Sequence, residues 1–418
     1  MKLIKTSLFS GIITFIKIGS GFVAAKVIAM ITGPAGVALL GQFMSFLTIV
    51  LTIANGAISN GVVKYTAEYE YDEGHLKVIF STALRISVYS ALLCGAFIGL
   101  FASFFSEWIL YTEEYVNVFR SLGLTLVFFS VNTLIISILN GKKEIRTYTY
   151  VNTAGALFSL ALTIVFVFFF KIQGALYALV VGQTLSFLLS IFFIRKAKWF
   201  SFEYFTQRFD GLFAKKLAGY GLIALVSALT IPVSQIILRD IIIDQLGIAS
   251  AGYWQGMMRV SDGYLLMITT SINIYYLPKL SSLKADAEIR NEIRYGFKII
   301  IPFTIGGCIV IYFLRFFIIK TLYTPEFLEM EGLFLFQLLG DVMKVASLML
   351  GYLLIAKSMI KTAMFTETLF AVLWVVLGYL FISYFGLEGI SIAFFINYVI
   401  YFLMMVFLFR KIFFVPTT

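Results

Sequence analysis

Twelve apolar stretches of roughly 20 residues or more, parted by short polar loops, take up almost the whole of this 418-residue chain. A backbone crossing hydrocarbon has no water to satisfy its amides, so each stretch is expected to be an α-helix. The spans are placed near 6–31, 37–63, 78–105, 115–139, 148–170, 173–194, 213–238, 248–277, 297–319, 332–356, 362–384 and 388–409. The third and ninth are long enough to tilt or to reach beyond the lipid. An all-α polytopic membrane protein follows, in keeping with 61% hydrophobic and 13% charged residues and only six prolines. The first stretch runs into Gly33-Pro34 without a small-residue cleavage site and is read as a retained span. No soluble domain is expected. Cys94 and Cys308 lie inside apolar stretches, where neither is placed for a disulfide or a metal, and His75 alone cannot build a zinc constellation.

The net charge of +10 is spread over short loops instead of clustering on one folded face, which argues against a nucleic-acid partner. Segments 64–77, 140–147, 195–212, 278–298 and 357–361, together with both termini, hold most of the 32 Lys and Arg residues. By the positive-inside rule these are cytoplasmic, and twelve spans then put both termini inside. Arg120, Lys171, Arg239, Arg315 and Lys320 are assigned to the opposite ends, leaving Lys17, Lys26, Arg85, Arg259 and Lys344 within spans.

The chain also repeats itself. A shift of 215 residues sets Lys142 on Lys357, Arg146 on Lys361, Thr147 on Thr362, Gly174 on Gly389, Ala178 on Ala393 and Arg195-Lys196 on Arg410-Lys411. A shift of 213 pairs Lys26 with Arg239 and Gln42 with Gln255. Matching loop charges and glycines are not a product of hydrophobic bias, so two parallel six-helix lobes are expected: residues 1–195, a cytoplasmic linker 196–212, and residues 213–418.

The charges inside spans point to function, because an ionised group at the bilayer centre costs roughly 2.5 to 3.5 kcal/mol and usually marks a substrate or ion path. In Gly252–Pro278, Gln255, Arg259 and Asp262 share one side of a helix, which must face protein or water. Arg259 and Asp262 form either a self-neutralising pair or a pathway cation tuned by an acid. Lys17 and Lys26, nine residues apart, fall on opposite faces of a straight helix unless Gly19 and Gly21 let it bend. Lys17 is the better candidate for a cavity. Gln42 and Asn55 in the second span either line a wet cavity or mediate packing. Arg85, near the end of the third span, is expected to snorkel. Asp341 and Lys344 repeat the three-residue spacing, and with Asp262 and Glu367 they are candidates for ion coupling, since a buried carboxylate can take up a proton near neutrality. An ion pair pinning helices is the competing account. No nucleophile and base pair, phosphate loop or carboxylate pair is present for catalysis, so a transporter is expected and no cofactor beyond a coupling H+ or Na+. Excess positive charge in the spans favours an anionic, phosphate-bearing substrate.

Five stretches carry a resemblance: GPAGVALLGQF at 33–43, NGVVKYTAEY at 60–69, GYWQGMMRVSDGYL at 252–265, YLPKLSSL at 276–283 and GDVMKVASLMLGYLLIAK at 340–357. With these the chain resembles the Wzx polysaccharide flippases of the multidrug/oligosaccharidyl-lipid/polysaccharide exporter (MOP) superfamily, in their O-antigen and enterobacterial common antigen branch. The resemblance implies twelve helices in two six-helix lobes around a central cavity. It implies an undecaprenyl-diphosphate-linked oligosaccharide as substrate, moved by alternating access from the cytoplasmic to the periplasmic leaflet of the bacterial inner membrane. Lys17, Lys26, Gln42, Asn55, Gln255 and Arg259 would meet the substrate, and an ion gradient would drive transport. Membrane lipids, a polysaccharide polymerase and chain-length machinery would be its neighbours.

Two other readings stay open. A drug exporter or a peptidoglycan-precursor flippase would keep the fold and change the cargo, although the latter typically adds two C-terminal helices not seen after Arg410-Lys411. A membrane polysaccharide polymerase or ligase would resemble proteins with a large outer loop, whereas the outer loops here are short.

Overall fold

The computed structural model describes residues 2–283 and 285–414. Its helices are α1 (Lys2–Ala54), α2 (Ser59–Glu68), α3 (Glu73–Leu100), α4 (Ala102–Leu110), α5 (Val116–Gly141), α6 (Ile145–Ile194), α7 (Gly211–Leu246), α8 (Ile248–Ser282), α9 (Asp286–Phe313), α10 (Arg315–Leu322), α11 (Phe334–Ala356), α12 (Ile360–Phe385), α13 (Glu388–Leu408) and α14 (Arg410–Phe414). No strand occurs among the described residues. Among the described residues, eight helices are long and apolar enough to cross a membrane. Two of these are double-length, and α7 and α8 add two further long helices, an arrangement that accommodates the twelve expected spans.

The double-length helices are broken at single residues. In α1 the break is Gly33, at φ 63° and ψ −170°. A left-handed φ suits a residue without Cβ, and Pro34 then restarts the helix where its missing N–H is no loss. In α6 the break is Lys171, at φ 51° and ψ −130°. Gly19 and Gly21 lie in regular helix, so no bend brings Lys17 and Lys26 onto one face. The second expected span is itself interrupted after Ala54, where Gly56 and Ala57 both take positive φ before α2 begins.

Two compact units emerge, one of residues 1–32 and 39–233, the other of 33–38 and 234–418. The division falls inside α7 and not in the expected linker. The reason is visible in the first unit's core, where Phe213 and Leu217 of α7 are buried with Ile58, Val62, Phe80 and Ile138. The linker is folded, too. Trp199 and Tyr204 join the same core, Trp199 Nε1 donates to Glu144 Oε1 at 2.7 Å, and Ser81 Oγ donates to the Gln207 carbonyl at 2.6 Å. Arg85 does not snorkel. It is half-buried and donates to that same carbonyl at 2.7 Å, stapling the linker to α3.

The repeat seen in the sequence recurs in the backbone at the same offsets. Positive φ falls at Lys143 and Ser358, 215 residues apart, and at Lys171 and Gly386, again 215 apart. A Cβ on Gly174 or on Gly389 would lie 2.0 Å from the carbonyl oxygen of Phe166 or Phe381, each eight residues back. At the shift of 213, α3 and α9 end at Leu100 and Phe313, and short helices α4 and α10 follow in both units.

Candidate functional site

In the second unit, α8 buries Trp254, Met257, Met258, Ser261 and Leu265. The opposite face carries Gln255 and Arg259, both half-buried, and Asp262, exposed. The i, i+4, i+7 spacing thus keeps these three polar groups on one stripe of α8 that is less covered than the face behind it. The phenol of Tyr323 lies within electrostatic reach of Arg259 and donates to the Gly256 carbonyl at 3.1 Å.

One turn on, behind that stripe, lies Asp341 of α11, completely buried. Its Oδ2 accepts from Ser261 Oγ and from Tyr264 OH, both at 2.5 Å, and Gln337 Nε2 stands 3.5 Å from Oδ1. Tyr264 OH also sits 3.6 Å from Cys308 Sγ. Asp341 and Lys344 share a helix but do not pair: among the described residues no carboxylate lies within 4.0 Å of Lys344 Nζ. Lys344 turns to α13 instead, its Nζ 5.8 Å from the Phe394 ring centroid and 6.0 Å from that of Tyr398. Asp262 is within electrostatic reach of Asp341, Lys344 and Tyr398, and Glu367 within reach of Tyr398. The four acid and lysine candidates of the second lobe thus belong to one polar cluster on α8, α11, α12 and α13. The pinning pair proposed for Asp341 and Lys344 is absent. A carboxylate held by two hydroxyls, with an ammonium nearby but out of contact, is chemically suited to exchanging a proton.

Arg239 departs from its assignment to an outer loop. It is 1% exposed within α7, its Nη2 donates to Gln255 Oε1 at 2.5 Å, and its guanidinium lies 5.4 Å from the Trp254 ring centroid. Hydropathy windows end a span at the first arginine, so they cannot foresee one folded inside. The internal signal was the match of Arg239 with Lys26, which lies within a span. Ser261 and Tyr264 were also missed as members of the cluster, although both lie within a turn of Asp262.

In the first unit, Lys17 is exposed along α1 and donates to Asn152 Oδ1 of α6 at 2.9 Å; its partner is an amide and not an acid. Lys26 is half-buried. Gln42 is fully buried, with Nε2 donating to Tyr111 OH at 3.3 Å, and Asn55 is 4% exposed, donating to Ser59 Oγ at 2.5 Å and accepting from Ser87 Oγ at 3.3 Å. Both side chains therefore do packing work here: Gln42 ties α1 to the end of α4, and Asn55 bridges the interruption between α1 and α2. They present almost no surface to a substrate.

A family model described as polysaccharide biosynthesis protein matches residues 15–331. A protein named Lipid III flippase from Escherichia coli (strain K12) is 29% identical over 403 residues, spanning 96% of this chain and 97% of that protein. A protein of the same name from Shigella flexneri matches with the same figures. Among solved structures, the inward-facing conformation of a multidrug resistance MATE family transporter of the MOP superfamily gives a TM-score of 0.78 at 14% identity, over 94% of this chain and 95% of that one. At that identity the likeness is one of fold.

Proposed function

The chain belongs to the polysaccharide biosynthesis protein family, and from that membership we propose that its cargo is an undecaprenyl-diphosphate-linked oligosaccharide carried to the periplasmic leaflet of the bacterial inner membrane. The protein is a multi-pass membrane transporter of the MOP superfamily, a lipid-linked flippase and not an enzyme. The observation that carries the finer reading is the side of α8 on which Arg259 and Gln255 are half-buried and Asp262 is exposed, opposite the buried Trp254, Met257 and Met258. A guanidinium is the side chain best shaped to hold a diphosphate through paired hydrogen bonds. Lys17 is a second cation open to an anionic head.

Transport proceeds by alternating access, with head and sugars crossing a wet interior while the polyprenyl tail stays in lipid. The cluster around Asp341 couples it to a gradient of H+ or Na+, because a buried carboxylate beside two hydroxyl oxygens can take up either ion. Both termini are cytoplasmic. An O-antigen repeat unit and lipid III, the substrate in the relatives' name, fit the same site.

The test is leaflet transfer of a fluorescent polyprenyl-diphosphate oligosaccharide in proteoliposomes. Arg259→Ala is expected to slow transfer at least tenfold, and Arg259→Lys, which keeps charge but loses the fork, to recover part of it. Unchanged transfer by a Lys17→Ala/Arg259→Ala protein would refute the assignment. Complementation of strains lacking either the O-antigen flippase or the lipid III flippase separates the two cargoes.

A further inference from the structure

We propose that the folded linker and the ends of α3 and α5 form a binding site for one acyl chain of an anionic membrane phospholipid. Between them lies a half-open cavity of about 350 Å³, lined by Leu84, Val131, Leu134, Ile135, Phe200 and Phe205. That volume is within the range of built ligand sites, roughly 300 to 1,000 Å³, and far above the voids that close-packed interiors tolerate. Apart from Ser201 and Thr206 on the linker side its walls are apolar, which offers too few polar partners for a sugar or a free phosphate.

The linker's outer side says what kind of molecule approaches. Phe202, which also lines the cavity, is 88% exposed, and Phe209 and Leu212 are exposed after it. Large apolar side chains presented outward beside basic ones mark a segment lying in the membrane interface. The basic ones are Arg195, Lys196, Lys198 and Arg208, all exposed. The linker's two acids are both engaged, Glu203 by Lys77 at 2.5 Å and Asp210 by the backbone N–H groups of Leu212 and Phe213, so the four exposed cations leave the segment net positive, which complements a phosphate head group. A polyprenyl tail of the transported substrate is the less suitable occupant, because neither the linker nor α3 or α5 carries Lys17, Gln255 or Arg259, where the diphosphate is proposed to sit. The site therefore stands apart from the cargo reading and does not depend on it. A lipid there would brace the linker against α3, where Arg85 and Ser81 hold the Gln207 carbonyl.

The experiment is native mass spectrometry of the full chain, exchanged into mild detergent with equal mole fractions of phosphatidylglycerol, phosphatidylethanolamine and undecaprenyl phosphate. The wild type is expected to retain one phosphatidylglycerol. Thr206→Trp, which fills the cavity from the linker side, should reduce that retention at least tenfold without changing elution volume or helical circular dichroism. Ser201→Trp serves the same end if the first variant does not fold. Lys198→Glu/Arg208→Glu should abolish the preference for phosphatidylglycerol over phosphatidylethanolamine. Retention of no lipid by the wild type, equal retention by the folded tryptophan variants, or preferential retention of undecaprenyl phosphate would each overturn the proposal.

Discussion

Replacing Asp341 separates its structural role from its proposed role in coupling. Asp341→Ala removes the acceptor of two donors, buried Ser261 Oγ and half-buried Tyr264 OH. A buried donor left unsatisfied costs about 1 to 3 kcal/mol; Ser261 Oγ is left so, while half-buried Tyr264 OH keeps Cys308 Sγ at 3.6 Å, so the alanine variant should lose about 1 to 3 kcal/mol of stability. Asp341→Asn has the same shape. Its carbonyl oxygen takes the place of Oδ2 and keeps both hydroxyl bonds, while its amide meets Gln337, whose Oε1 has no hydrogen-bond partner among the described residues. A flip of the Gln337 amide then presents that oxygen to the new donor, so the asparagine variant should stay within about 1 kcal/mol of wild type. Thermal unfolding of the two variants in detergent reads this difference as a loss of several degrees for alanine and little for asparagine. In proteoliposomes, the folded asparagine variant should lose the stimulation that an imposed pH gradient gives the wild type. Equal destabilisation by both substitutions would refute the hydrogen-bond assignment. An asparagine variant that still responds to the gradient would remove Asp341 from coupling while leaving its packing role intact.

Three further outcomes test the scaffold. Trp199→Ala should destabilise the first unit by about 3 to 5 kcal/mol, because it empties a buried indole site and breaks the bond to Glu144; faster limited proteolysis within 195–210 is the readout. Gly95→Val should cost more than about 1 to 3 kcal/mol, since a Cβ there would stand 2.3 Å from the Gly123 carbonyl oxygen of α5, and loss of monodisperse protein in detergent checks it. Asp72 caps α3 by accepting from the His75 backbone N–H at 3.0 Å, and that bond, foremost, holds its carboxyl below the ordinary carboxylate range. A depressed carboxylate stabilises the folded state above its unfolded pKa and stops doing so as pH falls through the folded value. Protection of the first-turn amides of α3, taken relative to their intrinsic exchange rate at each pH, should thus fall only below about pH 4, whereas Asp72→Ala should show reduced protection at neutral pH as well.

Much of this architecture could be read from residues alone, for physical reasons that differ by element. The polar stripe at Gln255, Arg259 and Asp262 was legible because helical spacing fixes which residues share a face, whatever packs behind them. Gln42 was not, because a polar side chain in a span is equally at home bonding a buried hydroxyl and lining water. Only the position of Tyr111 distinguishes the two, and it is 69 residues away. The linker was underread for a different reason. Its basic residues were read for topology alone, but the run from Trp199 to Phe205 carries five aromatics, and such a run seldom stays unfolded when a core is within reach. Loop charge reports topology; aromatic content reports packing, and here the two coincide in one segment.

The duplication shows where the two units have diverged. At the shift that aligns Gln42 with Gln255, Arg259 corresponds to Phe46 and Asp262 to Ile49. At the shift that aligns the backbone breaks, Asp341 corresponds to Leu126, Lys344 to Phe129 and Glu367 to Asn152. Phe46 stands in a dry aromatic cluster, its ring centroid 5.2 Å from that of Phe105 and 5.5 Å from that of Phe119, and Leu126 is fully buried. The same scaffold positions therefore hold hydrocarbon in the first unit and charge in the second, so the fold itself does not require the charges. Groups that a second copy of the same architecture does without, and that cost free energy to place in a membrane, are the ones the proposed function assigns to transport. The exchange at Asn152 fits the same logic. There the first unit uses a neutral amide to receive the Lys17 ammonium, whereas in the second unit Asp262 and Asp341 lie within electrostatic reach of Lys344.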